Sequence, residues 1–213
     1  MSNSSVDLAS QLCSRLCHDL LSPVGALMNG LELLADEKDP AMRQRCFELL
    51  EQSAKASTDK LKFFRLAFGA AGGFGEKVST DEVRSLVDAL VAGNDRITVS
   101  WVLGAAELSK PAAKVLLNFA HIALDALMRG GSIDIAAEVR GGTCEIAVRA
   151  MGRKVAFDRT IGDALEGRLA PEALSGRTAA AHMLHVIAAE AGGGLQHAVA
   201  EDALVLGAVL PEE

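Results

Sequence analysis

The sequence predicts an α+β protein in which an N-terminal antiparallel helical hairpin is followed by a two-layer α/β sandwich. Three observations carry this expectation. Residues 6–68 repeat apolar side chains at every third or fourth position on both sides of one polar break, the period of amphipathic helices. A glycine-rich stretch, GAAGGFG at 69–75, then interrupts the pattern. Beyond it, strand-like segments such as RITVSWVL alternate with helical ones, as in a sheet covered by helices.

The first helix is expected over 6–35, with Leu8, Leu12, Leu16, Leu20, Val24, Leu27, Leu31 and Leu34 forming its apolar stripe. In DEKDP, Asp39 is placed to cap a second helix and Pro40 to occupy its first position. That helix continues to about Phe68 through Met42, Cys46, Leu49, Leu50, Ala54, Leu61, Phe64 and Phe68. Two helices cannot enclose a core, so the expected assembly is a homodimer whose four helices form a bundle. The expected domains are 1–70, the hairpin, and 76–213, the sandwich. In the second, Ser79 and Glu82 form a capping-box pattern for a helix to about Val91. A strand at RITVSWVL and a long helix over 111–128 follow. Strands at 132–139 and 143–150 flank Gly141 and Gly142, a two-residue turn. A helix over 177–191 precedes a last hairpin, 195–199 and 204–210. Five strands and three main helices predict a mixed sheet with helices on one face.

Composition narrows the function classes. The formal charge is -7, with no basic run, and Tyr is absent, so a nucleic-acid partner is not expected. No apolar run reaches the roughly 18 residues of a membrane helix, and MSNSSVDLAS lacks the basic and apolar regions of a secretory signal. A cytoplasmic protein with no membrane contact is therefore expected. The four cysteines, Cys13, Cys17, Cys46 and Cys144, are scattered, which suits reduced thiols. No metal site is expected: Cys13, Cys17 and His18 are close in sequence, but His18 points about 100° away from Cys17 on a helix.

The chemistry-bearing stretch is SRLCHDLLSPVGAL, residues 14–27. At about 100° per residue, His18 lies some 200° around the helix from Leu16 and faces water. Ser14, Arg15, Leu21 and Ser22 are its neighbours one turn away, and Gly25 and Asn29 continue the same face. An exposed imidazole is a nucleophile toward phosphorus when an acceptor holds one nitrogen protonated. Asp19 is placed to be that acceptor and Arg15 to compensate charge. Pro23 has no N–H, so it deprives the Asp19 carbonyl of its helical donor and can bend the helix there. The residues alone leave a plainer alternative, a solvated polar pair on an outer face. His121, His182 and His185 read as packed or surface histidines, and Phe63, Phe64 and Phe68 mostly as core, with Phe64 a candidate for contact with a docking partner.

CHDLLSP resembles the H-box of histidine kinases, in which the phosphorylated histidine is followed by an acidic residue and, five positions on, by a proline. LLNFAHIALDAL is similar to the N-box helix of those kinases, and RTAAAHMLHVIAAEAGGGLQ to the helix and glycine turn after their last glycine box. The second domain is thus expected to resemble a histidine kinase ATP-binding domain, with its nucleotide ligands missing. Asp125 follows His121 where the N-box carries an Mg²⁺-directed asparagine. Ala150, Met151, Gly152, Arg153 and Lys154 stand where an Asp-x-Gly-x-Gly should receive adenine, and Gly176 is alone where a glycine-rich lid is expected.

An H-box hairpin with a degenerate kinase domain resembles the dimeric histidine phosphotransferases of bacterial phosphorelays, over nearly the whole chain. The resemblance implies that His18 receives a phosphoryl group from the receiver domain of a hybrid histidine kinase and passes it to response regulators. It implies no cofactor on this chain, Mg²⁺ belonging to the receivers. His18, Asp19 and Arg15 would be catalytic, and Leu21, Ser22, Gly25, Asn29 and Phe64 would meet the partner. The alternatives are an ATP-dependent sensor kinase and a non-catalytic scaffold for two-component signalling proteins.

Overall fold

The structure is a computed structural model that describes residues 4–69 and 77–212. Most of the glycine-rich segment expected to separate the domains, 70–76, lies outside the described residues. Two long helices come first, α1 (Ser4–Asp36) and α2 (Pro40–Ala67), antiparallel and packed on each other. Asp39 caps α2 by accepting from the Met42 N–H, and Pro40 opens the helix, as that turn chemistry requires.

The α1 face differs from the expected stripe. Among the described residues of α1, Pro23 and Gly30 are the buried ones, while Leu16, Leu20 and Leu27 are half-buried and Val24 and Leu31 stay 45% and 51% exposed. A Cβ on Gly30 would lie 2.9 Å from Leu50 Cδ2, so glycine permits the close approach of the two helices. Gly30 seats the Leu50 side chain of α2, while Val24 and Leu31 of the expected stripe stay exposed.

The remainder comprises β1 (Lys77–Ser79), α3 (Thr80–Val91), β2 (Ile97–Leu103), β3 (Glu107–Ser109), α4 (Lys110–Ala126), β4 (Gly131–Arg140), β5 (Thr143–Met151), α5 (Arg159–Leu165), α6 (Ala179–Glu190), β6 (Gly194–Val199) and β7 (Ala203–Pro211). A mixed sheet runs in the order β2-β4-β5-β7-β6, with only the β2–β4 pair parallel. Ile133, Ile135, Val148, Ala150, Leu204 and Leu206 point to the covered face, where α4 packs. Thr98, Ser100, Glu145, Arg149 and Val205 point to the open one. Alternation at period two produces both faces from the same strands. Gly141 and Gly142 turn β4 into β5 with φ of 59° and 76°, a conformation that favours glycine.

Short elements depart from the sequence reading. β1 and β3 form a separate two-stranded ladder, and α5 is a further helix in a stretch without periodicity; each is too short to leave a periodic signature. Ser79 does cap α3, accepting from the Asp81 N–H.

Phe63, Phe64, Leu66 and Ala67 at the end of α2 belong to the same buried cluster as Leu116, Phe119 and Leu184. Leu8, Leu12 and Leu16 of α1 pack against that cluster. The N-terminal half of α1 and the C-terminal end of α2 are therefore seated on the second domain, up to the level of His18. Phe63→Ala is expected to cost about 3–5 kcal/mol, measured by urea denaturation with a probe in each part, and to shift both parts together.

Candidate functional site

His18 projects from the middle of α1 with 83% of its side chain exposed. Its Nδ1 is 3.1 Å from Asp19 Oδ1. The other carboxylate oxygen, Oδ2, accepts from Arg15 Nε at 2.6 Å, one turn earlier on the same helix. Arg15 Nη2 donates at 2.6 Å to Asp125 Oδ2 near the end of α4. Four residues thus form one chain of hydrogen bonds from the second domain to the imidazole.

Burial opposes ionisation of Asp19, but hydrogen bonds from Arg15 and His18 and the guanidinium charge outweigh it and hold the carboxyl below its ordinary value. An ionised carboxylate can only accept, so Nδ1 of His18 is the donor. In the neutral ring this leaves Nε2 with its lone pair, on the side open to solvent. Burial likewise disfavours the Arg15 cation, and Asp125 and Asp19 reverse this, raising its pKa.

Pro23 has the effect its chemistry requires, and α2 supplies the remedy. The Asp19 carbonyl that lacks a helical donor accepts instead from Lys60 Nζ at 2.8 Å. The carboxylate and the carbonyl of one residue are therefore both fixed, by different elements. His121 of α4 lies beneath this group, its ring 5.4 Å from that of Phe63 and 5.7 Å from that of Phe64. Burial, above all, lowers its pKa, so it is neutral at pH 7. It is a packed histidine, as expected.

Among the partner-facing candidates, Leu21, Ser22 and Asn29 are exposed, and a Cβ on Gly25 would meet nothing within 4 Å. Phe64 is the exception. It is only 2% exposed, stacked on Phe68 and set edge-on to Phe63 and His121, because the end of α2 is roofed by α4 of the second domain. It cannot present its ring to a partner, and the expected docking role is corrected to a core one.

The sequence does not mark Asp125 and Lys60 as members of this site. Asp125 stands there as the residue replacing a kinase asparagine, and Lys60 carries no signal apart from the carbonyl that Pro23 frees. His18 also borders an open cleft of about 950 Å³ between α1 and the second domain, lined by Arg15, Leu124, Asp125, Met128, Phe157, Asp158, Ile161 and Arg177 among others. Gly176 lies against α1, where a Cβ would sit 3.7 Å from the Arg15 nitrogen. Among the described residues, no group of three or more His, Cys, Asp and Glu side chains is arranged to hold a metal ion, and no helix is long and apolar enough to cross a membrane.

A helical hairpin thus presents an exposed, hydrogen-bonded histidine beside an α/β sandwich. The family model for the histidine phosphotransferase C-terminal domain matches residues 80–203. The chain is 32% identical to the protein phosphotransferase ChpT of Brucella abortus (strain 2308), over 93% of this chain and 94% of that protein. It is also similar to the solved structure of a bacterial phosphotransferase, with a TM-score of 0.83 and 30% identity, covering 98% of each chain. The Acinetobacter baumannii histidine kinase AdeS superposes with a TM-score of 0.47 at 13% identity, over 92% of this chain and 98% of that one. The chain belongs to the histidine phosphotransferase family, and its activity is protein phosphotransfer.

Because the Asp19 carboxyl is held below its ordinary value near 3.8, its stabilising contribution is complete above that value and lost as pH falls through the folded one. Asp19→Asn is accordingly expected to lower Tm at pH 6–7, and the difference from the parent to shrink below about pH 4. Thermal melts of the two proteins across pH 3–7 measure this.

Proposed function

We propose that His18 is the phosphoryl carrier of a bacterial phosphorelay, loaded from the receiver domain of a hybrid histidine kinase and unloaded onto response-regulator aspartates. The observation that carries this is the exposed Nε2 of an imidazole whose Nδ1 is held by an ionised Asp19. In the loading step Nε2 attacks the phosphorus of the receiver's aspartyl phosphate in line. The N–P bond forms from the ring lone pair, and the P–O bond breaks with its electrons returning to the receiver carboxylate. The Nδ1 proton stays on the ring, shared with Asp19, which offsets the positive charge the imidazole acquires. The reverse sequence unloads it. Mg²⁺ is contributed by the receiver domains, and this chain needs no cofactor of its own.

Leu21, Ser22, Gly25 and Asn29 share the face of His18 and form the surface on which a receiver rests. The cleft wall of Met128, Phe157 and Ile161 widens that surface and gives the second domain its use. ATP has no part in the reaction. Asn118 of the N-box-like helix is fully buried and donates to the carbonyls of Ala67 and Lys114. Asp125 is engaged by Arg15. The segment before α6 is closed by Thr178, whose hydroxyl accepts from the Ser175 N–H at 3.0 Å and donates to the Ala173 carbonyl at 3.0 Å. The amide N–H groups of Asn118, the carboxylate of Asp125 and the hydroxyl of Thr178 are thus all engaged within the chain.

The working unit is a homodimer in the cytoplasm. Val24 and Leu31 on α1, seven residues apart, and Phe47 and Leu61 on α2, fourteen apart, are large exposed apolar side chains. Heptad-spaced strips of this kind are what helices bury against a second pair.

Incubation with a phosphorylated receiver domain is expected to label the protein at an acid-labile site, and Mg²⁺-ATP alone is not. His18→Ala should abolish labelling while the circular dichroism spectrum is retained; labelling that survives would overturn the assignment. Leu31→Glu is expected to convert a sedimenting dimer to a monomer by placing a charge in each protomer's strip.

A further inference from the structure

We propose that Asp125 is a positioning residue for phosphoryl transfer, acting from the second domain through Arg15 and Asp19 on the tautomer of His18. This rests on His18 as the phosphoryl carrier. The geometry is a continuous relay, with Asp125 Oδ2 to Arg15 Nη2 at 2.6 Å, Arg15 Nε to Asp19 Oδ2 at 2.6 Å, and Asp19 Oδ1 to His18 Nδ1 at 3.1 Å.

Two physical arguments give Asp125 a task in this chain. The first is order. An arginine one turn from an aspartate on a helix makes a weak pair, because a long side chain must be immobilised for one interaction. Asp125 binds a second nitrogen of the same planar guanidinium from another helix, so the fork is held from two directions and presents Nε to Asp19 in one orientation. The Arg15 side chain is correspondingly only 18% exposed.

The second is charge. Arg15 and Lys60 are the cations in contact with Asp19, and His121 beneath them is neutral. In the cleft, Arg177 and Asp158 pair with each other at 3.4 Å. With Asp125 the cations and carboxylates around the imidazole balance. Without it the surroundings carry an excess positive charge, which opposes the cationic ring formed on phosphorylation. The position where kinases direct an asparagine to Mg²⁺ here serves the phosphoryl acceptor instead.

The test uses the full chain with Asp125→Asn, which keeps size and hydrogen-bonding capacity at a half-exposed position. In rapid-quench experiments with a phosphorylated receiver domain, the transfer rate constant at saturation is expected to fall about 10- to 100-fold, the range for removing an outer partner that supports a functional histidine through its neighbours. The receiver concentration giving half-saturation should not change, and Asp125→Glu should restore part of the rate. Long-range ¹⁵N NMR of the His18 ring supplies a readout that a packing defect would not move: Nδ1–H in the parent, and a mixture with Nε2–H in Asp125→Asn. In an Arg15→Gln background, Asp125→Asn should have no further effect.

An unchanged rate and tautomer in Asp125→Asn, or an undiminished effect of Asp125→Asn in Arg15→Gln, would overturn the proposal. His18→Ala run alongside separates the two readings. If it is still labelled, the carrier assignment fails; if it is silent while Asp125→Asn transfers normally, only the role of Asp125 fails.

Discussion

The arrangement depends on one carboxylate. Asp19 faces His18 with one oxygen and Arg15 with the other, and its carbonyl is taken by Lys60. It is sufficiently buried that ionisation would be disfavoured without those partners. Arg15 and His18, one on each oxygen of Asp19, more than offset that burial. The exposed imidazole beside it makes no other hydrogen bond among the described residues, so its proton is assigned entirely through this neighbour.

Much of the architecture was legible because its signals are periodic. Both long helices, the turn at Gly141 and Gly142, and the final hairpin follow from apolar spacing and turn chemistry. What escaped has physical reasons. β1, β3 and α5 are too short to show a period. The stripe through Val24 and Leu31 is apolar, yet both stay exposed while Gly30 is buried against Leu50 of α2, because a glycine lets the partner helix's leucine come close. Phe64 was misplaced because periodicity within α2 cannot say what lies over its end; α4 does, from more than 40 residues away.

The site was legible in its local half. His18, Asp19 and Arg15 lie within one turn and a residue of each other, so helical geometry alone brought them together. Asp125 is 110 positions from its partner Arg15 and Lys60 is 41 from Asp19, distances at which spacing carries no information. Even so, the absence of an N–H at Pro23 stated in advance that a carbonyl would be left wanting a donor. An accounting of backbone hydrogen bonds was the one route from the sequence to Lys60.

The bond between Lys60 and the Asp19 carbonyl also fixes the register of the two helices. Most positions along two packed helices are equivalent, and one helix can step past the other by a turn, about 5.4 Å, with similar contacts on arrival. Here a single carbonyl is unpaired, at the residue four before Pro23, and a single lysine reaches it. A one-turn step would strand both. The proline that interrupts the helix thus acts as a register pin, tying the residue beside His18 to one position along α2.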